Sequence, residues 1–213
     1  MDNDKYVALN FFSHKLKVKI IGGGKGAFIK AKTFCTNGCV VEILSKNFSE
    51  DILNLKNYNV RYIKGEYYKN FIIDAHIVLI AIDDKKLRES IVGDCENLNK
   101  IFIDCTEFKN GMAVIPSQRN LKNLSFSVST KVGVPKISKL LGDKMENSLK
   151  EYDEFTFYVS RLRENAKKEK LKKEIVDFIC TEDFKFFYEK GKDRKVFSMF
   201  FDECITQNIY DIK

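Results

Sequence analysis

Hydrophobic and polar positions along the first 110 or so residues follow the pattern of alternating strands and helices. Short apolar runs predict five strands, at 18–21, 40–44, 60–63, 76–82 and 101–103. Apolar positions at helical spacing predict helices at 27–37 and 85–98. The run HIVLIAI at 76–82 is typical of a central parallel strand that is covered on both faces. The sequence therefore predicts an α/β fold with a Rossmann-like, doubly wound parallel sheet.

The pattern changes after residue 112. Apolar runs at 112–115 and 124–128 predict two further strands, and Pro135 opens a predicted helix that ends at about Leu149. Residues 150–213 hold no proline, one glycine and many aromatic side chains at helical spacing, so we expect a small helical C-terminal domain there. The aromatic stripe is typical of a protein core or of a dimer interface. We therefore expect three parts, at 1–112, 113–150 and 151–213.

A glycine-rich turn follows the first predicted strand. Gly22, Gly24 and Ala27 supply the pattern G-x-G-x-x-A, in which the first glycine makes a tight turn and the second admits a pyrophosphate close to the backbone. The third small residue lets the helix pack on the strand, and free N–H groups at the helix start bind the anion. A purely structural glycine turn is the alternative. The strand before and the helix after favour NAD(P) binding by Gly22, Gly24, Lys25, Gly26 and Ala27, within a dinucleotide-binding domain at 1–112.

The end of the second predicted strand decides which dinucleotide fits. An Asp or Glu there would bind the ribose 2′-OH of NAD, but this chain has Ser45, Lys46 and Asn47, with Glu42 earlier in the strand. Ser45 is able to bond a ribose hydroxyl, and Lys46 would favour a 2′-phosphate unless it merely faces solvent. These residues therefore leave NAD and NADP both open as the cofactor.

Charge is uneven along the chain. Residues 1–150 hold 24 Lys and Arg against 16 Asp and Glu, a net charge of +8, and the remainder holds 13 against 14. A basic body attracts nucleic acid or a polyanionic small molecule, although solvated lysine-rich faces are an equal alternative. The basic residues are spread out and no nucleic-acid-binding motif accompanies them, so we expect no nucleic-acid partner.

Other classes of protein are disfavoured by the composition. No apolar run approaches 18 residues, and the opening Met1–Lys5 is acidic and lacks the apolar core of a signal peptide. The six cysteines include no C-x-x-C pair, and the two histidines, His14 and His76, lie far apart in the sequence. We therefore expect a cytoplasmic protein with reduced thiols, no membrane span and no resident metal.

Five segments, in order and at nearly constant spacing, resemble one family. They read YVALNF, KVKIIGGGKGAFIKAKTFCTNGCVVEILSKNFSEDI, HIVLIAIDD, VIPSQ and FSVSTKVGVPKISKLLGDKME, and they lie between residues 6 and 150. This set resembles precorrin-2 dehydrogenase, the dehydrogenase and ferrochelatase part of siroheme synthase. The helical tail is similar to the family's third domain in position and length only.

The resemblance implies an activity and an assembly. Family members oxidise precorrin-2 to sirohydrochlorin with NAD+, and some also insert Fe2+. The resemblance therefore implies NAD as the cofactor of this chain, with NADP as the alternative. They are homodimers that exchange the segment after the nucleotide domain, which corresponds to 113–150 here. The substrate carries eight carboxylates, which would suit the basic body of this chain.

The resemblance also implies site residues, with departures. Counting from Gly22 without gaps places Glu107 on the family's key aspartate, after the fifth strand, and Asp104 on a neighbouring asparagine. Glu107 is then the candidate acid/base with Asp104 as support, and the alternatives are a surface Glu107 or a catalytic Asp104. Ile82 and Asp83 occupy the cofactor turn after the fourth strand, where Ile82 replaces a threonine. Lys131 and Val132 replace a glycine pair in the serine-rich turn.

Three functions stay open at this point. The first is NAD(P)-dependent precorrin-2 dehydrogenation, with or without Fe2+ insertion. The second is a relative that binds dinucleotide or tetrapyrrole without turnover, as a sensor or carrier. The third is a different small NAD(P)-dependent oxidoreductase on the same fold.

Overall fold

The computed structural model describes residues 6–211, so the acidic opening Met1–Lys5 and the last two residues lie outside the described part of the chain. The chain divides into two compact units, Met1–Ile115 and Pro116–Lys213. Among the described residues, no helix has the length and apolar character needed to cross a membrane.

A five-stranded parallel sheet forms the centre of the first unit. Its strands are β1 (Lys17–Ile21), β2 (Val40–Ser45), β3 (Val60–Lys64), β4 (Ile77–Ile80) and β5 (Ile101–Asp104). Their order in the sheet is β3-β2-β1-β4-β5, so the chain reverses its direction of travel between β3 and β4. Parallel pairing throughout confirms the predicted Rossmann-like α/β fold.

Helices cover both faces of this sheet. They are α1 (Lys25–Thr36), the short α2 (Glu50–Leu53) and α3 (Lys85–Asn97). Val18 and Ile20 of β1 join a core cluster that contains Ala27 and Ala31 of α1, while Ile21 joins a second cluster that contains Ile91 of α3. Alternate strand residues therefore serve two cores, which explains why β4 is apolar at every position.

One charged side chain lies within the central strand. Lys19 is 7% exposed, and its Nζ lies 2.7 Å from Asp74 Oδ1 and 2.8 Å from Glu42 Oε2. Its ammonium also faces the ring of Phe71 at 4.8 Å. Burial opposes the charged form, but the two carboxylates outweigh burial and the pKa of Lys19 is raised. A lysine is tolerated here because every one of these contacts favours the ammonium form.

The second unit begins with a hairpin on a long helix. The hairpin consists of β6 (Ser117–Asn120) and β7 (Ser125–Val128), and the helix is α4 (Pro135–Ala166). The buried carboxylate of Asp153 accepts main-chain N–H bonds from Asn123 at 2.8 Å and Leu124 at 3.0 Å, which fixes the hairpin turn on α4. Arg119 of β6 reaches across Gly142 to Asp143 and ties the hairpin to an earlier part of the same helix.

Four short helices complete the second unit. They are α5 (Lys172–Ile179), α6 (Glu182–Glu189), α7 (Asp193–Phe197) and α8 (Glu203–Tyr210). Together with the second half of α4 they bury Phe184 and Phe197, at 1% and 0% exposure. Much of the predicted aromatic stripe is therefore the core of this unit.

Two predicted elements were wrong. Residues 112–115 form no strand; they follow β5 as a loop in which Ala113 N donates to Phe102 O at 3.1 Å, and Ala113 and Ile115 pack on the sheet core. Helix α4 does not end at about Leu149 but continues to Ala166, because no glycine or proline follows to stop it. The expected boundary at residue 150 falls inside this helix.

Candidate functional site

The glycine-rich turn connects β1 to α1. Gly22 has φ +119°, and a Cβ placed on it would lie 2.1 Å from the carbonyl oxygen of Ala81. Its N–H donates to Leu44 O at 2.9 Å, so the turn passes between the ends of β2 and β4. A side chain is excluded at Gly22 both by its backbone conformation and by the strand beside it.

The middle glycine is a site residue that the sequence pattern missed. A Cβ on Gly23 would lie 2.2 Å from Asn47 O and 2.8 Å from Ser45 Oγ, while Gly23 O accepts the N–H of Ser49 at 2.8 Å. The loop after β2 is therefore packed directly on the glycine turn. The three consecutive glycines were the available signal, but the pattern G-x-G-x-x-A allows any residue in this position.

The start of α1 is open to a ligand. Gly24 is the N-cap residue and provides no side-chain capping bond, and a Cβ on Gly24 or Gly26 would meet no atom of the described residues 6–211 within 4 Å. Ala27 is 1% exposed and packs in the core, as its place in the motif requires. A helix start without a side-chain cap, bordered by open space, fits a pyrophosphate that accepts bonds from the first main-chain N–H groups. Lys25 is exposed in the first turn of the helix.

The loop after β2 lies at the same edge of the sheet. Ser45 is half-buried and its Oγ donates to Asn47 O at 2.7 Å, whereas Lys46 and Asn47 are exposed. Lys46 does not stand alone, because its Nζ lies 2.9 Å from Glu66 Oε1. These residues would face the ribose next to the adenine of a bound dinucleotide.

The loop after β4 borders the glycine turn on its other side. Ala81 N donates to Ile21 O at 2.9 Å, which holds this loop against β1. Ile82 is half-buried and Asp83 is exposed, and Asp84 caps helix α3 by accepting the N–H of Leu87 at 3.1 Å. Thr106 Oγ1 lies 3.4 Å from Ile82 O, so a hydroxyl reaches this loop from the neighbouring turn. Ile82 and Asp83 therefore lie where the switch in strand order places ligands.

Asp104, the last residue of β5, organises the turn that follows. It is 1% exposed, and its Oδ1 accepts the main-chain N–H of Thr106 at 2.8 Å and of Glu107 at 2.9 Å. Its Oδ2 makes no hydrogen bond but lies 3.4 Å from Nε of Arg88, whose side chain is 11% exposed. The carboxylate thus holds the turn from inside.

Glu107 occupies the outer end of the same turn. Its side chain is exposed, and its carbonyl accepts the N–H of Asn110 at 2.9 Å at the start of a short 3₁₀ turn, Phe108–Asn110. Cys105 lies between the two acidic residues, and burial raises the pKa of its thiol to about 11. The two acidic residues therefore differ: Asp104 is used by the fold, whereas Glu107 presents a carboxylate to the solvent.

The predicted residues converge on one edge of the first unit. The glycine turn, Ser45–Asn47, Ile82–Asp83 and Asp104–Glu107 each follow the carboxyl end of a strand, at β1, β2, β4 and β5. Within residues 6–211 no three His, Cys, Asp or Glu side chains come together in a group that could hold a metal ion. All six cysteines are free thiols.

Comparisons with known proteins agree with this geometry. A family model described as "Putative NAD(P)-binding" matches residues 9–117. A protein of Methanocaldococcus jannaschii named "Putative precorrin-2 dehydrogenase" is 30% identical in an alignment of 171 residues that covers 75% of this chain and 82% of the relative. A solved structure named "SirC, precorrin-2 dehydrogenase" superposes with a TM-score of 0.69 over 92% of this chain and 100% of its own, and at 15% identity that likeness shows the fold.

The fold, the glycine turn and the family model together define an NAD(P)-binding protein whose cofactor is a nicotinamide dinucleotide. The 30% identity with the Methanocaldococcus jannaschii protein, over 82% of its length, shows the family. The chain belongs to the precorrin-2 dehydrogenase family, a family of oxidoreductases.

Proposed function

We propose that this protein oxidises precorrin-2 to sirohydrochlorin, with NAD(P)+ bound on the Gly22–Ala27 turn. The observation that carries the proposal is the position of two turns at the same edge of the sheet: an open, glycine-lined helix start after β1 and an acidic turn after β5. β4 alone lies between these two strands. A hydride acceptor and a proton acceptor are the two groups that this oxidation needs.

Three segments of the chain each bind a different part of the dinucleotide in this proposal. Main-chain N–H groups of Gly24–Ala27 bind the pyrophosphate, Ser45–Asn47 face the adenine-side ribose, and Ile82–Asp83 lie at the nicotinamide end. The nicotinamide, when bound, accepts a hydride from the macrocycle. The protein supplies orientation for that transfer and a base for the proton that leaves the ring system.

Glu107 is the acid/base in this proposal and Asp104 is a positioning residue. Both oxygens of Asp104 face partners inside the fold: Oδ1 accepts two main-chain N–H bonds, and Oδ2 lies beside Arg88. Glu107 is exposed and is aligned on the main chain by the bond from its own N–H to Asp104. This arrangement favours Glu107 over Asp104 as the group that meets a substrate proton.

The charge of the chain supports a polycarboxylate substrate. Lys25 on α1 and Lys85 and Lys86 at the start of α3 are exposed, and all three follow a strand end at the edge that holds the glycine turn. Positive charge near the mouth of a site raises the local concentration of an anion such as precorrin-2.

We also propose a homodimer built largely from 113–150 and the helical tail. The first half of α4 exposes Ile137, Leu140, Leu141 and Met145, at 41–62% exposure and at the spacing of one helix face. An exposed apolar stripe of this kind is typical of a protein–protein interface. Light scattering at low micromolar concentration should give about twice the mass of the 24.7 kDa chain, and a Leu140→Asp, Leu141→Asp variant should give the single mass. A monomeric parent protein would contradict the dimer.

The decisive experiment is anaerobic turnover. Precorrin-2, made enzymatically, is mixed with the protein and NAD+ or NADP+, and sirohydrochlorin and reduced nicotinamide are followed together by absorbance. We expect the two products in equal amounts. Siroheme formation after addition of Fe2+ is recorded separately, since Fe2+ insertion is a distinct reaction.

Results other than equal amounts of the two products would favour one of the alternative functions or contradict the proposal. Binding of NAD+ and of a uroporphyrin-like tetrapyrrole without turnover would identify a sensor or carrier. Binding of NAD+ without affinity for any polycarboxylate tetrapyrrole would identify a different oxidoreductase. Failure to bind both NAD+ and NADP+ would contradict the proposed cofactor site and therefore the proposed function.

A further inference from the structure

We infer that Glu66 sets the cofactor preference of this protein: it pairs with Lys46 beside the ribose site and thereby favours NAD+ over NADP+. The inference rests on the proposed binding of a dinucleotide at Gly22–Ala27. It assigns a role to a residue that lies 20 positions from Lys46 in the sequence and forms no part of the glycine motif.

Lys46 lies at the position that distinguishes NAD from NADP in Rossmann-like domains. In Rossmann-like domains the 2′-position of the adenine ribose lies just beyond the end of the second strand. Here β2 ends at Ser45, and Lys46 is the next residue. A lysine without a partner at this point would attract the 2′-phosphate of NADP+.

The fold brings Glu66 to the same point. Ser45 pairs with Lys64 in the parallel register of β2 and β3, and Gly65 N donates to Ser45 O at 3.0 Å. The chain that leaves β3 is thus held beside the loop after β2, and Glu66 Oε1 lies 2.9 Å from Lys46 Nζ. The hydrogen bond from Lys46 lowers the pKa of Glu66, so its carboxylate is charged at neutral pH.

Solvent exposure argues against a purely structural role for this pair. The side chains of Lys46 and Glu66 are 69% and 79% exposed, and ion pairs at that exposure contribute little to folding. Their effect on a ligand is larger, because a 2′-phosphate at this edge would meet the carboxylate as well as the ammonium. Repulsion from Glu66 then opposes the attraction of the 2′-phosphate to Lys46. The uncharged 2′-OH of NAD+ meets no such repulsion, and a carboxylate is able to accept its hydrogen bond.

The test compares dissociation constants of NAD+ and NADP+ for the full-length protein and its Glu66→Gln variant, measured by calorimetry. The parent should bind NAD+ more tightly than NADP+. Glu66→Gln should shift the ratio of the two constants toward NADP+ by about five- to tenfold, the effect of removing one repulsive charge at close range. Lys46→Gln should shift it in the opposite direction. Both shifts should shrink between ~0.05 M and ~0.5 M salt.

Glu164→Gln is the matched control. Glu164 forms an exposed pair with Lys167 at 2.6 Å in the second unit, so this variant removes the same charge from a pair outside the nucleotide domain. Its ratio should equal that of the parent.

The contrary outcomes are distinct. A parent protein that prefers NADP+, or a Glu66→Gln ratio that matches the control, would overturn the inference while leaving dinucleotide binding intact. If neither cofactor binds to the parent, the inference and the proposed function are both wrong.

Discussion

The turns after β1 and after β5 lie at one edge of the same sheet, yet they are held in different ways. The β1 turn is fixed by its backbone: Gly22 meets the carbonyl of Ala81, and Gly23 meets the loop after β2. The β5 turn is fixed by a side chain, because the buried carboxylate of Asp104 accepts two main-chain N–H bonds. The first turn depends on the absence of side chains, and the second depends on one particular side chain.

In each turn, the residue that shapes the backbone is different from the residue that is the candidate to meet a ligand. In the β1 turn, Gly22 is needed for folding, while Gly24 borders open space that a ligand would fill. In the β5 turn, Asp104 serves the fold and Glu107 faces solvent. Each turn thus pairs an inner residue that shapes the backbone with an outer residue that borders open space or solvent.

The largest effect is expected at the outer residue of the β5 turn. Glu107→Gln should lower the rate of anaerobic precorrin-2 oxidation by about 10²–10⁴-fold, because a positioned acid/base contributes that much. Binding of NAD+ should stay nearly unchanged, and Glu107→Asp should remain active. If Glu107→Gln turns over normally while Asp104→Asn is inactive, the acid/base is Asp104 and the assignment of the two roles is reversed.

The next largest effect separates the two glycines of the β1 turn. Gly22→Val should lower the free energy of unfolding by about 3 kcal/mol or more, because the new side chain meets a strand carbonyl and an unfavourable φ. Gly24→Val should leave the melting temperature nearly unchanged and abolish NAD(P)+ binding, since it fills the space beside the helix start. Thermal melts and calorimetric titrations on both variants provide the check. Unchanged cofactor affinity in Gly24→Val would place the pyrophosphate elsewhere.

A smaller loss of stability is expected from the inner residue of the β5 turn. Asp104→Ala removes the acceptor of two N–H bonds and leaves Arg88 without its carboxylate, so we expect a loss of about 2–3 kcal/mol in urea unfolding. Asp104→Asn retains an acceptor oxygen and should lose less. Adding Arg88→Gln to Asp104→Asn should recover part of that loss, since it removes the unpaired charge. Strict additivity of the two substitutions would show that they do not interact.

The smallest expected effect is the contribution of the β5 turn to the pH dependence of stability. Burial raises the pKa of Cys105 to about 11, above its value in an unfolded chain. The thiol therefore stabilises the fold fully below about pH 8.5, and this contribution is lost as the pH rises toward 11. Between about pH 8 and pH 10, the free energy of unfolding should fall by roughly 1–2 kcal/mol less in Cys105→Ala than in the parent protein. An identical slope in parent and variant would show that Cys105 does not titrate on unfolding.

Much of the first unit could be predicted because its sequence pattern expresses backbone constraints. Parallel strands buried on both faces must be apolar, as β4 is, and a tight turn between a strand and a helix requires glycine. The parallel sheet and the position of the glycine turn follow from these constraints, whereas the order of the strands comes from the structure. A strand was wrongly predicted at 112–115, because apolar residues such as Ala113 and Ile115 in a loop that packs on the core give the same short pattern as a strand.

The contacts of the site were less predictable because they depend on register. Gly23 gains its role only when Asn47 and Ser45 are placed beside it. Glu66 reaches Lys46 only through the pairing of β2 with β3. The division of roles between Asp104 and Glu107 depends on which of them is buried, and their residue types alone do not reveal this.

The order of the strands has a consequence for synthesis on the ribosome. The central strand β1 pairs with β2 on one side, Lys17 with Val40, and with β4 on the other, Val18 with Ile77. Because β1 and β2 are synthesised before β4, one edge of β1 has no partner until β4 emerges. During that interval its edge toward β4 is open to other chains, and pairing between distant segments is slow. Ribosome pausing before β4 has left the exit tunnel would therefore prolong the aggregation-prone state, while pausing after β5 has left it would find all five strands of the sheet available for pairing.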